Sequence, residues 1–332
     1  MIQIMELTTS VQVPKPPFGL CYADRSVLMG SCFADNMGER LEADKFRVNC
    51  NPFGTLYNPA SIAEGLRRLL RPIPITSAEL FLHEGSYHSF SYHSRFSATT
   101  EEEALRQMND SLLGSAEGLR GASRLILTWG TAYVYRLKAD GRIVANCHKL
   151  PDRCFVRERL SVEAIVAEWR ELLAQLWEQC PTLRLICTVS PIRHWKDGAH
   201  ANQLSKATLL LALDALQREF PERISYFPAY EILLDELRDY RFYAEDMVHP
   251  SSLAIDYIAE RFAQTYFDRE TFAARQAWHK LRQAIAHRPL HPESEAYRQF
   301  ITQTLLKLEQ LKAKMPFFEF SKELETLTAK LR

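Results

Sequence analysis

The sequence predicts an α/β fold, with a central parallel sheet of about five strands covered by helices on both faces. Short apolar runs that stop at glycine or proline alternate with amphipathic segments of helical spacing. This alternation is typical of a parallel sheet, because a crossover helix has to connect each strand to the next. With 332 residues, of which 46% are hydrophobic and 25% charged, the chain has the composition of a packed globular protein.

The five predicted strands are short and almost continuously apolar, as expected for strands that are buried on both faces. They cover residues 25–30, 46–52, 124–130, 183–190 and 224–227. Amphipathic helices are predicted between them at residues 59–70, 162–179 and 203–220. Functional groups of such sheets gather at the carboxyl ends of the strands, so the residues that follow each strand are the first candidates for a site.

Two segments depart from this alternation within the domain that we expect to cover residues 1–266. Residues 132–147 contain two strand-like stretches around Lys138-Ala139-Asp140-Gly141, which is a favourable hairpin turn. Residues 83–96 are rich in histidine and aromatic side chains and are expected to be irregular or β-structured.

From about Phe267 onward the sequence becomes charged and helix-forming. A helical apolar stripe runs through Ile301, Leu305, Leu308, Leu311 and Met315. Pro289 and Pro292 separate this helix from an earlier one. We therefore expect residues 267–332 to form a helical extension. It would pack on the core as a brace, or on another subunit in a homo-oligomer.

Charge and cysteine content argue against several classes of function. Acidic and basic residues balance at 41 each, so no bulk attraction to nucleic acid is expected. Residues 1–20 lack the pattern of a signal peptide, and no apolar run is long enough to span a bilayer. The seven cysteines include no Cys-x-x-Cys pair, which indicates reduced thiols in a cytoplasmic protein. The spacing of Cys147, His148 and Cys154 does not favour a metal site, and no cofactor is expected.

Ser31 is the strongest candidate for a catalytic residue. It follows Gly30 at the end of the first strand and begins a helix, whose dipole favours a developing oxyanion. Serine needs a general base, and the best candidate is His249, with Asp246 three residues earlier to steady the imidazolium. Each feature alone is more often structural, as when a serine caps a helix. Their combination in a parallel α/β chain favours catalysis.

The residues Gly30-Ser31-Cys32-Phe33-Ala34 spell the motif that names the GSCFA family, which the chain resembles from about residue 25 to residue 267. Further matching segments lie at residues 51–59, 129–132, 146–151, 188–194, 239–243 and 246–251. The helical tail lies outside the resemblance. The family in turn resembles the SGNH, or GDSL-type, hydrolases, which are flavodoxin-like three-layer α/β/α esterases, acetylhydrolases and lipases.

The resemblance implies that Ser31 is the nucleophile and that Asp246 and His249 complete the catalytic set. It also implies an oxyanion hole formed by the N–H groups of Ser31 and Gly54. SGNH enzymes usually carry Gly-x-Asn after the third strand, with the asparagine donating to the oxyanion. Here the same place reads Gly130-Thr131-Ala132, without the asparagine.

An uncompensated loss of an oxyanion donor raises the barrier by about 3 kcal/mol, so a replacement is expected. Thr131 could donate its hydroxyl. Asn146 or His148 is favoured instead. The hairpin that carries them directly follows the third strand, so it is expected to lie over the same carboxyl edge of the sheet as Ser31.

Other polar residues are predicted near this edge. Arg193 and His194 follow the fourth strand and are expected to bind substrate. His88 and His93 either line the substrate cleft or edge a small hairpin. Cys32 is an alternative nucleophile, but it lies about 100° around the helix from Ser31 and is expected to pack inward.

The resemblance therefore implies a serine-dependent ester hydrolase, acting on a small O-acyl group of a carbohydrate or glycolipid. One alternative is an acyltransferase that uses the same site but passes the acyl group to a sugar hydroxyl. Another is a non-catalytic carbohydrate-binding or scaffolding protein, which the altered third motif and the helical tail would suit.

Overall fold

A computed structural model describes residues 9–331 of the chain. The first eight residues, which belong to the amino-terminal stretch considered above, and Arg332 lie outside the described residues. The strands are β1 Arg25–Gly30, β2 Arg47–Cys50, β3 Phe81–His83, β4 Ser86–His88, β5 Arg124–Trp129, β6 Tyr133–Leu137, β7 Ile143–Val144, β8 Phe155–Arg159, β9 Arg184–Val189 and β10 Ile224–Tyr226. The helices are α1 Cys32–Ala43, α2 Pro59–Leu70, α3 Glu101–Arg120, α4 Val162–Gln179, α5 Gly198–Glu219, α6 Ala229–Glu231, α7 Ser252–Tyr266, α8 Arg269–Ala286, α9 Glu295–Lys314 and α10 Ser321–Leu331.

The predicted α/β fold with a five-stranded parallel sheet is confirmed. The strands lie in the order β10-β9-β5-β1-β2, and every neighbouring pair is parallel. Counted in chain order among these five, the arrangement is 2-1-3-4-5, a doubly wound order. The order reverses between β1 and β5, and ligands of such sheets bind outside the carboxyl ends of the strands at this point.

Alternate residues of the central strands pack against helices on opposite faces of the sheet, which gives three layers. Leu125 and Leu127 of β5 join a core built mainly from α2, α3, α4 and α5. Ile126 joins the core on the other face, which is built from α1, α7 and the C-terminal helices. The near-continuous apolar strands of the sequence follow from this burial on both sides.

The predicted helices 59–70 and 162–179 are confirmed as α2 and α4, whereas α5 begins at Gly198, before the predicted residue 203. Helix α3 was not predicted from the sequence. Thr100 caps its amino terminus, because the Thr100 hydroxyl accepts a hydrogen bond from the Glu103 N–H. The sequence-based boundary of α5 was late because its first turn, Gly-Ala-His-Ala, contains no large apolar residue that would reveal helical periodicity.

The predicted hairpin exists but belongs to a larger unit than residues 132–147. β6 pairs with β7 across the expected turn, and β8 pairs antiparallel with the other edge of β6. The sequence did not predict β8 because most of this strand is exposed and three of its five residues are charged. Residues 83–96 include the last residue of β3, the whole of β4 and a short 3-10 turn at residues 94–96, in agreement with the expected irregular or β-structured insertion.

The predicted C-terminal helical stretch is confirmed as α8, α9 and α10. These helices extend the core on the α1 face of the sheet. The Trp278 indole donates to the Ala43 carbonyl over 2.7 Å, and Arg275 pairs with Asp44 at 2.6 Å. The extension thus contacts the carboxyl end of α1, the helix that Ser31 begins. Between residues 9 and 331, no helix combines the length and apolarity that crossing a bilayer requires.

Candidate active site

Ser31 lies at the topological switch point of the sheet, where β1 ends and α1 begins. Its side chain is buried, and its hydroxyl caps α1 by accepting from the Phe33 N–H at 3.3 Å. The same hydroxyl donates a hydrogen bond to Ser190 Oγ over 3.0 Å. Ser190 follows β9, so this bond joins the ends of two strands that flank β5.

Asp246 and His249 form a compact unit in one turn. Asp246 Oδ1 accepts from the backbone N–H groups of Val248 and His249, both at 2.9 Å. Its Oδ2 lies 2.5 Å from His249 Nδ1. The backbone donors, followed by the imidazole, lower the pKa of Asp246 to about 2. An ionised carboxylate at Nδ1 favours the tautomer in which His249 Nε2 carries a lone pair, as a general base requires.

Ser31 and His249 line one cavity of about 590 Å³ at the carboxyl edge of the sheet. The serine hydroxyl donates to Ser190, and no hydrogen bond joins it to His249 within residues 9–331. Asp246 supports His249 from outside the cavity and does not line it. The structure therefore brings the nucleophile and the base to one cavity without joining them.

The two backbone donors expected in an oxyanion hole are engaged elsewhere. The Ser31 N–H donates to the Thr128 carbonyl at 3.2 Å, and the Gly54 N–H donates to the Asn51 carbonyl at 2.7 Å. Gly54 has a left-handed φ of 78°, and a β-carbon there would lie 2.2 Å from His93 Cβ. This glycine allows close approach of the His93 loop and does not line the cavity, which corrects its expected role.

Another backbone donor at the same helix end is available. Cys32 lines the cavity. Its N–H makes no hydrogen bond with any described residue, as is usual for the first residue of a helix. Desolvation, followed by the nearby Asp35 carboxylate, raises the pKa of the Cys32 thiol. The thiol is therefore a poor source of thiolate.

Of the three side chains considered for the missing oxyanion donor, two line the cavity. Asn146 lines it, and its Oδ1 is held by the His148 N–H at 2.8 Å while its Nδ2 makes no hydrogen bond within residues 9–331. Thr131 also lines it, with its hydroxyl 3.0 Å from Ser205 Oγ. His148 does not line it, because its ring is buried and its Nε2 lies 2.8 Å from the Ser89 carbonyl, so this geometry does not support the donor role expected of it.

The two histidines of the aromatic insertion have different surroundings. His93 lines the cavity, and its Nδ1 accepts from the Arg95 N–H at 3.2 Å, so its proton lies on Nε2. His88 lies outside the cavity. Its Nδ1 is 2.6 Å from Ser97 Oγ, and the centre of its ring lies 4.5 Å from the centre of the His148 ring. The lining role expected of His88 is therefore corrected to the hairpin-edge alternative.

Arg193 and His194 both line the cavity, where the sequence predicted them. A β-carbon built on Gly130 would lie 3.0 Å from His194 Nε2 and 3.6 Å from Ser31 Cβ. The imidazole of His194 is therefore near the nucleophile. Burial, followed by the charge of Lys206, lowers the pKa of His194 to about 4, so the ring is neutral near pH 7 and suited to donating or accepting a hydrogen bond.

Two family models match this chain. The model of the GSCFA family matches residues 25–262, which is more than half of the chain. The chain belongs to the GSCFA family. A second model, that of the GSCFA domain protein C-terminal domain, matches residues 278–332. No curated protein matches this GSCFA protein.

One face of α5 holds several groups of this site in the GSCFA protein, and it was not predicted from the sequence. Asn202 Oδ1 accepts from the His194 N–H at 2.9 Å. Ser205 Oγ accepts from the Ala132 N–H at 2.8 Å. The three residues Asn202, Ser205 and Lys206 are buried at helical spacings of three and four, so polar residues at core positions of an amphipathic helix were the available signal.

Lys206 is the least expected member of this face. Its side chain is fully buried, and Nζ donates to the carbonyls of Gly130 and Ser190, each at 2.7 Å. No carboxylate pairs with it among the described residues. Desolvation, followed by the charge of Arg193, lowers the pKa of Lys206 to about 7. The Lys206 ammonium thus bridges the backbone carbonyls of the residues that directly follow β5 and β9.

Metal ligation finds no support in the described part of the chain. Within residues 9–331, no three His, Cys, Asp or Glu side chains are grouped so that they could hold a metal ion.

Proposed function

We propose that this GSCFA protein is an SGNH-type serine ester hydrolase. The observation that carries the proposal is the pairing of Ser31, at the switch point of the sheet, with His249 in the same cavity and with Asp246 bound to the Nδ1 of that histidine. This arrangement supplies the nucleophile, the base and the group that orients the base.

In the proposed reaction, Ser31 Oγ attacks the acyl carbonyl carbon while its proton passes to His249 Nε2. The alcohol leaves with that proton, and an acyl group remains on Ser31. Water then attacks the acyl carbon with His249 as base, which releases the acid and restores the serine. The Ser31 hydroxyl has to turn from Ser190 toward His249 before the first step.

The oxyanion needs donors within the cavity. The Cys32 N–H and the Asn146 Nδ2 group meet this need best, because neither of these donors makes a hydrogen bond with another described residue. Thr131 can add its hydroxyl proton if Ser205 donates to Thr131, a direction that the 3.0 Å contact permits. These groups would replace the asparagine that SGNH enzymes carry after the third strand.

A small O-acyl group on a carbohydrate or glycolipid is the proposed substrate class. Aromatic side chains support it, because Tyr57, Tyr133, Tyr135 and Trp195 line the cavity and such rings pack against sugar faces. We place the reaction in the cytoplasm, since all seven cysteines are free thiols.

The proposal is tested with 4-nitrophenyl acetate and with acetylated sugars. We expect the wild type and Ser10→Ala, a change at an exposed serine, to release acetate, and Ser31→Ala to lose at least about a thousandfold in kcat/KM. Equal turnover by Ser31→Ala would overturn the proposal. Acetyl transfer to added sugar at the expense of hydrolysis would indicate the acyltransferase. Sugar binding without turnover by any of the three proteins would indicate the non-catalytic alternative.

A further inference from the structure

The active-site cavity carries an excess of positive charge. Its lining includes the four basic residues Lys149, Arg157, Arg193 and Lys196, against the two acidic residues Asp152 and Asp197. The chain as a whole is neutral, so this excess is a local property of the cavity. A cavity lined by one sign of charge concentrates ligands of the opposite sign.

The two carboxylates of the cavity are already engaged by other cations. Asp197 pairs with Arg157, and Asp152 lies 3.9 Å from Lys196. Arg193 has no carboxylate within ion-pair distance among the described residues. Its Nε is buried and makes no hydrogen bond with any of them. A guanidinium carries five N–H donors, so its terminal N–H groups can still bind a ligand even though this side chain also contacts Tyr230.

Arg193 also stands between two cavities. It lines the active-site cavity and a neighbouring groove of about 410 Å³, which Trp195, Tyr240 and Tyr243 also line. The guanidinium carbon lies 5.8 Å from the centre of the Trp195 ring, and this ring is 55% exposed. The side chain is thus placed beside the indole within reach of molecules in either cavity.

A second basic side chain lies beneath this point. Lys206 is fully buried and has no carboxylate partner within residues 9–331, and the charge of Arg193 contributes to its lowered pKa. No described carboxylate therefore balances the positive charge around Arg193, which favours an anionic ligand at its guanidinium.

We propose that Arg193 binds an anionic oxygen group of the substrate, a carboxylate or a phosphate, beside the ester that Ser31 attacks. The inference rests on the proposed function and names the substrate class more narrowly, as acyl esters that carry a negative charge. The planar guanidinium suits both anions, because it donates two parallel N–H bonds to a pair of oxygens.

The test compares three acetyl esters of similar size: 4-acetoxybenzoate, 4-acetoxyphenyl phosphate and the neutral methyl 4-acetoxybenzoate. We expect the wild type to prefer at least one anionic ester by about tenfold in kcat/KM, as one charged hydrogen-bonded contact can supply. Arg193→Gln should lose this preference, while Arg218→Gln should keep it. Arg218 is a matched control because it is exposed and paired with Asp214 on α5, outside the cavity.

The preferred ester identifies the anion as carboxylate or phosphate. Equal use of the neutral and anionic esters by the wild type would overturn the inference and leave the proposed hydrolase intact. So would an unchanged preference in Arg193→Gln. If no ester is cleaved, the proposed function fails, and calorimetric titration of Ser31→Ala with benzoate and phenyl phosphate then decides the anion site. Saturable binding that Arg193→Gln abolishes would support the site, and its absence would overturn it.

Discussion

The hydroxyl of Ser31 donates its hydrogen bond to the hydroxyl of Ser190, 3.0 Å away at the end of β9. Ser190 Oγ also accepts from the Ile192 N–H at 3.3 Å. In this state the nucleophile is hydrogen-bonded to the residue that follows β9, which lies beyond β5, and not to the general base. The proposed chemistry therefore requires the hydroxyl to exchange one acceptor for another.

Replacing Ser190 tests this exchange. In Ser190→Ala the Ser31 hydroxyl loses its present acceptor, so we expect a fluorophosphonate probe to label Ser31 at least as fast as in the wild type. The lost buried hydrogen bond should lower the free energy of unfolding by about 1 kcal/mol. Labelling kinetics and urea unfolding measure the two effects. Loss of labelling in a folded Ser190→Ala protein would mean that Ser190 takes part in activating Ser31.

Replacing Asp246 should lower kcat and hardly change the free energy of unfolding. The side chains of Asp246 and His249 are 51% and 49% exposed, so breaking their contact in Asp246→Asn is expected to change the free energy of unfolding little. The asparagine no longer favours the tautomer with a free Nε2, and kcat should fall about a hundredfold or more. Asp239→Asn is the control, because Asp239 is an exposed carboxylate bonded to Arg241. Equal kcat values for the two variants would contradict the assigned role.

Replacing Asn146 should affect catalysis, whereas replacing His148 should affect stability, although only one residue separates the two. Asn146→Ala removes the free amide from the cavity, and we expect kcat to fall about a hundredfold with little change in KM. His148→Ala should instead lower stability, because this ring is buried against His88 and the Ser89 carbonyl. Steady-state kinetics and thermal unfolding of both variants check the pair. The reverse pattern would restore His148 as the oxyanion donor.

Lys206 should make the free energy of unfolding rise with pH above about pH 7. Desolvation, aided by Arg193, lowers its pKa from 10.5 to about 7 in the folded protein. Above pH 7 the unfolded chain therefore binds a proton that the folded chain has released, and the free energy of unfolding rises with pH until the unfolded lysine also titrates. The rise is expected to approach about 1 kcal/mol per pH unit.

The measurement is urea unfolding of the wild type and of Lys206→Met between about pH 7 and about pH 9. The difference between the two proteins isolates Lys206 from the cysteines and tyrosines that titrate in the alkaline range. Parallel stability curves for the two proteins would mean that Lys206 does not change its protonation in this window.

Much of the fold and part of the site could be predicted from the sequence. β1, β5 and β9 are apolar on both sides, and this pattern specifies buried parallel strands without further information. Asp246 and His249 were predictable as a unit because one turn brings them together. β8 was missed because it is exposed on an added sheet and has no apolar pattern.

The remaining site residues depend on tertiary approach, which local patterns do not encode. Gly54 resembles an oxyanion residue in sequence. In the structure, its missing side chain leaves room for His93, which lies 39 positions later in the chain. Lys206 lies in the middle of α5, and only the completed fold brings the Gly130 and Ser190 carbonyls to its ammonium. Ser190 itself follows an ordinary strand, and its bond to Ser31 spans 159 positions.

The proposed mechanism requires Ser31 to be a nucleophile that His249 activates. A fluorophosphonate reacts with such a serine, and peptide mass spectrometry locates the adduct in the wild type and in His249→Ala. We expect a single adduct on Ser31 in the wild type, formed about a hundredfold or more slowly in His249→Ala. An adduct on Cys32 or on another residue, or a rate that His249→Ala leaves unchanged, would contradict it.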